Sequence, residues 1–447
     1  MCPSCQDRPG LASDEATSFR PGADLTKVLR AAGLVTFVQV ASSALAYFSQ
    51  VLLARWLGVF EFGVYVFAWN WAVLLPIVTS LGLEPAAVRF VPQYLVQEEW
   101  GRLRGFLRRG SAFVLVGGVL VAAAGWLALA ILGARVPGYS VVPVRLALLC
   151  VPLLGLISFM AEASRGFGRV ALAYIPQRLV LPGLFIVAVA VISTTRAPDA
   201  VLVLKISVVV CVVTALAMAV LFRRVLVTRV RAAPPEFHTR GWLRVALPLF
   251  LTDGLFAVLL RFDTVMLGAM RSPDEVAVYA ACLRTAGLAV FVFTAMSALV
   301  APKFAELYAQ GNRAAQVDFV RSVARWTFWP SAVVAVGLAV FGRPILAVFG
   351  PSFAAGYPSL LILTAGLLTF TITGPTNAYL AASGHQDDIV PAIASAIVTN
   401  ITMNAFLIPR YGVMGAAVAS AVGMVVGRVL LYVAVRRRLG LETLFLR

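Results

Sequence analysis

Apolar runs of about 20 residues follow one another along almost the whole chain, each long enough to cross hydrocarbon as a helix. About twelve are read: 29–54, 62–86, 110–133, 141–163, 172–194, 200–222, 243–268, 275–300, 324–348, 357–382, 389–408 and 413–435. With 61% apolar and only 13% charged residues over 447 positions, the chain cannot bury its apolar surface in water. Soluble domains hold roughly 45–50% apolar and 25% charged residues. The membrane has to be the solvent.

Displaced by 214 positions, the chain matches itself without a gap. Arg30 falls on Arg244, Phe48 on Phe262, Glu61 on Glu275, Tyr65 on Tyr279, Arg89 on Lys303, Phe90 on Phe304 and Tyr94 on Tyr308. The 65 positions from 30 to 94 hold 15 identities, and apolar bias alone would not align the charged and tyrosine positions. Such a repeat points to a transporter of two like bundles. Six spans per half give both halves the same orientation, so the expected pseudo-two-fold runs along the membrane normal. The expected fold is an all-α polytopic membrane protein with two six-helix bundles, 25–222 and 242–440, around a central cavity.

With the N-terminus in the cytosol, 26 of the 37 Lys and Arg residues fall on the inner side and 8 on the outer side. That split obeys the positive-inside rule and puts both termini inside. Residues 1–24 read as a disordered cytosolic tail, 223–241 as a basic cytosolic linker and 441–447 as a second tail. The net charge of +17 is then a cytosolic rim facing anionic lipid. No nucleic-acid partner is expected, because no loop is long enough to form a soluble basic domain.

The remaining three basic residues, Arg261, Arg284 and Arg428, lie within spans, where ionisable groups are costly and mark functional candidates. At 1.5 Å per residue, Arg261 sits about 10 Å and Arg284 about 13 Å inward from the outer ends of consecutive spans, at matching depth. The repeat pairs Arg261 with Tyr47, Arg284 with Asn70, Asp253 with Gln39 and Asp263 with Ser49. A cationic wall of Arg261, Arg284 and Arg428 would grip phosphate oxygens. A neutral wall of Gln39, Tyr47 and Asn70 would suit sugar hydroxyls. Asp253 and Asp263 are candidates for ion coupling, and Glu84, Arg89 and Lys303 for gating at the cytosolic interface. Arg261 and Asp263 fit equally a buried structural pair.

Catalytic chemistry has little to stand on. The two histidines, His238 and His385, are in cytosolic connections, and no HExxH or Walker loop occurs. Cys2 and Cys5 form a lone CxxC without the second pair that a zinc site needs. No cofactor, no metal and no enzyme activity are expected.

The stretch Leu53-Ala54-Arg55, Leu57-Gly58, Phe62-Gly63 and Tyr65 resembles the LLAR-x-LG…FG-x-Y pattern of polysaccharide flippases. Asp263, Leu267-Gly268 and Tyr279 resemble their D-x-x-x-LG…Y. Asn404, Leu407-Ile408-Pro409, Tyr411-Gly412, Gly415-Ala416-Ala417 and Ala419-Ser420 are similar to N-x-x-LIP-x-YG-x-x-GAA-x-AS. This is the polysaccharide branch of the multidrug/oligosaccharidyl-lipid/polysaccharide exporter superfamily, and the resemblance covers about 25–440. It implies a flippase that moves undecaprenyl-pyrophosphate-linked oligosaccharide from inner to outer leaflet by alternating access, for cell-surface polysaccharide. It also implies a bacterial or archaeal cytoplasmic membrane, membrane lipids as neighbours, H+ or Na+ as coupling ion, a monomer, and association with polysaccharide polymerase machinery. The rival within the superfamily, a drug or cation antiporter, would favour an acidic cavity. A membrane glycan ligase or polymerase would need a sizeable external loop, and the external loops here are short.

Overall fold

The computed structural model describes residues 21–133 and 136–441; side chains of 21–37 and of a few later positions, Asp253 among them, lie outside the description. The expected tails therefore fall outside it over 1–20, with Cys2 and Cys5, and over 442–447. Every regular element among the described residues is helical. In chain order they are α1 (Pro21–Ser80), α2 (Leu83–Val96), α3 (Trp100–Leu132), α4 (Gly138–Gly166), α5 (Val170–Ile175), α6 (Leu181–Ser193), α7 (Ala200–Arg229), α8 (Thr239–Met270), α9 (Pro273–Ala286), α10 (Phe291–Ala309), α11 (Arg313–Ala347), α12 (Tyr357–Thr373), α13 (Thr376–Ala382) and α14 (Ile389–Leu439).

Ten helical stretches among the described residues are long and apolar enough to cross a membrane. Four of the twelve expected runs are contained in two of these helices. α1 is broken at Gly58 (φ 76°, ψ 172°) and α14 at Gly412 (φ 52°, ψ −126°), conformations open to glycine and strained for other residues. The limbs of α14 fold back on one another. A Cβ on Gly423 would stand 2.9 Å from that of Asn400, and one on Gly427 would stand 3.0 Å from that of Ala396. These small residues of the second limb let the limb before it approach closely. A second departure concerns the inner connections, where Leu83–Val96 and part of Phe291–Ala309 are helical rather than loops.

The 214-residue displacement carries through the element boundaries. It moves α3 to 314–346, where α11 spans Arg313–Ala347. It moves α7 to 414 onward, where the second limb of α14 begins. The Gly58 break moves to 272, in the gap between α8 and α9, so each pinched glycine stands where the other half keeps a short loop.

Burial divides unevenly across the membrane. One core cluster joins both halves, bringing Leu53, Phe62 and Tyr65 together with Leu267, Tyr279, Phe349 and Phe353. It belongs to the ends that the charge count puts outside. There Arg55 Nε donates to the Val348 carbonyl at 2.6 Å, and the Tyr47 and Phe62 rings meet Phe349 and Phe353 edge-on at 5.7 and 6.1 Å. Toward the inner ends the core is two clusters. One holds first-half residues such as Phe106 and Phe159 with Trp242 and Ala246 from the start of α8; the other holds Phe304, Tyr379 and Leu431 of the second half. The halves thus share one core at one end and, apart from the start of α8, have separate cores at the other.

Candidate functional site

Between the halves lies a cavity of about 400 Å³. Gln39, Ser42, Ser43, Ser49 and Gln50 of α1 form one side; Arg261 of α8 and Arg284 of α9 reach in from the second half. Arg284 is exposed, and the surface it exposes lines the cavity. Arg261 Nη1 donates a long hydrogen bond, 3.4 Å, to Asn70 Oδ1. Among the described residues, none that lines the cavity is acidic.

A third arginine, Arg178, shares this cavity and is absent from the candidates that the sequence supplies. It sits on a π-helical turn, Pro176–Val180, inserted between α5 and α6. Pro176 and Pro182 have no N–H to give to the helix, so the ordinary i to i−4 ladder loses donors and the wider turn is accommodated. Arg178 Nη1 donates to Gln39 Oε1 at 2.5 Å, and its guanidinium lies 5.3 Å from the Tyr174 ring centre. Paired prolines six residues apart inside an apolar span were the available signal.

Aromatic rings complete the wall. Tyr65 lies nearly parallel to both Trp69 and Phe185, with interplanar angles of 14° and 12° and centroids 6.1 and 6.0 Å apart. All three line the cavity. The arrangement offers cations for an anionic group, amides and hydroxyls for sugar hydroxyls, and ring edges and faces for the apolar side of a sugar.

The other sequence-derived candidates are elsewhere. Arg428 is 6% exposed, lies 3.6 Å from the centre of the Phe370 ring, and makes a 3.4 Å hydrogen bond to Thr376 Oγ1. It borders a separate pocket of about 20 Å³ inside the second half. Asn70 is a partner of Arg261 rather than part of an opposite wall. Tyr47 meets Thr285 Oγ1 at 3.4 Å, against the core that both halves share. Asp263 is buried and accepts from Asn404 Nδ2 (2.7 Å), Tyr279 Oη (3.0 Å) and Ser420 Oγ, so its partners are not Arg261. Two atoms of that cluster, Asn400 Nδ2 and Asn404 Oδ1, are buried with no hydrogen-bond partner among the described residues. The side chain of Asp253 lies outside the description. Arg89 is exposed on α2, Glu84 stands in the first turn of that helix, and Lys303 pairs with Glu306 at 2.9 Å on α10.

The profile of a family described as "Polysaccharide biosynthesis protein" matches residues 28–308, more than half of the chain. Two relatives come from Haloferax volcanii. The probable flippase AglR is 28% identical over 179 residues, and the probable low-salt glycan biosynthesis flippase Agl15 is 24% identical over 173. Each alignment takes in 38% of this chain, which spans only 36% of the length of either relative. Among solved structures, an inward-facing multidrug resistance MATE family transporter of the MOP superfamily superposes with a TM-score of 0.75 at 15% identity, covering 91% of this chain and 98% of that one. An outward-facing structure of a MATE family transporter scores 0.66, covering 92% of this chain and 95% of that one at 15% identity. The lipid II flippase MurJ in an inward closed conformation scores 0.70 at 18% identity, covering 90% and 87%. At these identities the likeness establishes the fold.

Proposed function

The chain belongs to the polysaccharide biosynthesis protein family, and from that premise we propose that it is a flippase for lipid-linked oligosaccharide. The carrier is a polyprenyl diphosphate of the undecaprenyl type, moved from the inner to the outer leaflet of the cytoplasmic membrane by alternating access. In this reading α1 and α14 each cross twice, giving twelve crossings in two bundles, 25–222 and 242–440, about an axis along the membrane normal. The matching element boundaries support that division.

The observation that carries the reading is a cavity lined by Arg178, Arg261 and Arg284 and, among the described residues, by no carboxylate. A guanidinium fork suits phosphate oxygens bidentately, and in low dielectric an uncompensated cation is costly until its anion arrives. The neutral and aromatic lining suits the glycan. A core shared at the ends read as outer and separate cores at the other ends suit loading from the cytosolic leaflet, and the higher TM-score to the inward-facing MATE structure agrees. Asp263, buried among Asn404, Ser420 and Tyr279, is the residue for coupling to H+ or Na+, and Arg428 takes a structural role. The relatives named as flippases favour the same activity. A cation antiporter would meet three like charges in this cavity.

The test is leaflet-resolved transport of an undecaprenyl-diphosphate oligosaccharide in proteoliposomes. The native chain should translocate it, and Arg284→Ala and Arg261→Ala should each abolish most of the transport with folding intact. Transport that survives both changes would remove the arginines from the site. Absence of transport by the native chain would defeat the flippase reading.

A further inference from the structure

The three cavity arginines are not equivalent. Arg261 stands inside the 32-residue helix α8 and Arg284 in the last turn of the 14-residue α9, whereas Arg178 stands on a π-helical turn bracketed by Pro176 and Pro182. Its side chain is exposed to the cavity. Its hydrogen bond to protein goes to a neutral amide oxygen, Gln39 Oε1 at 2.5 Å. A guanidinium has five N–H donors, and a phosphate oxygen adds to the hydrogen bond a charge–charge attraction that a neutral amide oxygen lacks. The Gln39 amide is therefore a placeholder that a phosphate oxygen in the same cavity would outcompete.

That bond has a mechanical side. Gln39 belongs to α1, a regular helix at this point, and Ser42 and Ser43 both donate to its backbone carbonyl (3.0 and 2.8 Å). Arg178 belongs to the segment where the backbone ladder has lost donors, and π-helical turns yield at lower cost than regular helix. When the two part, Arg178 is the one that swings.

We propose that Arg178 is a third phosphate-contacting residue of the cavity, held at rest by Gln39, and that binding of a polyprenyl diphosphate exchanges the Gln39 amide for phosphate oxygen and releases α1 from the α5–α6 turn. This rests on the reading of the cavity as a diphosphate site. It assigns opposite signs to two neighbouring residues. Arg178 adds affinity, whereas Gln39 subtracts it by occupying Arg178.

The test is binding of a short-chain polyprenyl diphosphate to the full chain in nanodiscs, with the unfolding temperature of each variant as a folding control. Arg178→Ala should weaken binding by about tenfold or more, as loss of a charged hydrogen bond does, with Arg178→Lys between it and the native chain. Gln39→Ala should tighten binding by about two- to tenfold, the net worth of one solvent-exposed hydrogen bond. A Gln39→Ala variant that binds no tighter than the native chain, or an Arg178→Ala variant with native affinity, overturns the proposal. Arg261→Ala and Arg284→Ala in the same assay separate the two failures. If they weaken binding while the Arg178 and Gln39 variants do not follow the expected signs, the exchange alone fails. If they too leave binding unchanged, the diphosphate reading of the cavity fails with it.

Discussion

The carboxylate of Glu61 accepts the backbone N–H of Ala200 at 2.8 Å, so a residue just past the break in α1 caps the helix that ends the first half. Asp199 adds a second cap to the same terminus by accepting from the Leu202 N–H at 2.8 Å. First-turn N–H groups have no partner within the helix, and an anion there also meets the positive end of the helix dipole. Glu61→Ala should cost about 1 kcal/mol of stability and Glu61→Gln less, since an amide oxygen still accepts. Thermal unfolding in detergent measures both; equal losses would show that the hydrogen bond contributes nothing beyond charge.

The repeat-related glutamate does related work against a glycine. Glu275 pairs with Arg271 at 3.2 Å and its carboxylate occupies the space a Cβ on Gly412 would need. Gly412→Ala therefore meets both a backbone conformation unsuited to alanine and a collision, with an expected loss of about 2 kcal/mol or more. Adding Glu275→Ala should restore only part of that loss, because the backbone strain at φ 52° remains. Full restoration in a double-mutant cycle would assign the whole effect to the collision.

The all-helical membrane class and the apolar spans were legible because hydropathy is a one-dimensional property. Azimuth is not. Arg428 lies about as deep as a cavity residue should, yet it points at Phe370 within the second half. Asn70 is polar and correctly placed along its helix, yet it is engaged by Arg261. Which face a helix shows to the cavity depends on neighbours distant in sequence. Arg178 was hidden for another reason: a π-helical turn shifts the facing of side chains relative to a regular helix, and its prolines blur the span that holds it. The fusion of four expected runs into α1 and α14 follows from single glycines making turns tight enough to leave no loop.

Asp263 is buried with donors from three side chains, Tyr279, Asn404 and Ser420. Asp263→Asn would turn one acceptor into a donor facing donors, with an expected loss of about 1–3 kcal/mol. Ser420→Ala removes one donor and should cost less. If Asp263 also couples transport to an ion, the native chain should show a rise in unfolding temperature with Na+ or a dependence on pH that Asp263→Asn lacks. An ion response unchanged in Asp263→Asn would leave Asp263 a structural acceptor.

The connection between the halves is a docked strap. Glu236 N–H donates to the Gly101 carbonyl at 2.9 Å, and Arg104 Nη1 to the Ala233 carbonyl at 3.0 Å. Trp100 and Phe237 lie 5.9 and 5.2 Å from the guanidinium groups of Arg231 and Arg109. The strap reaches α3 so closely because Gly101 and Gly105 have no side chains; a Cβ on Gly105 would run into the Glu236 carbonyl. With 233–237 tied to α3 and Trp242 hydrogen-bonded to Tyr94 at 2.8 Å, the start of α8 moves with the first half. Pro248 interrupts the ladder of α8 within this anchored stretch. Arg231 is already exposed, so what the docked strap withholds from trypsin is a backbone free to enter the protease; Gly105→Val should lift the strap and free the backbone around Arg231. Limited proteolysis with mass spectrometry reads the sites directly: the variant should be cut there at least about tenfold faster, since the loss of about 1.4 kcal/mol or more of docking raises the open population by that factor. Cleavage at the native rate would mean that the strap is held by its charged contacts alone.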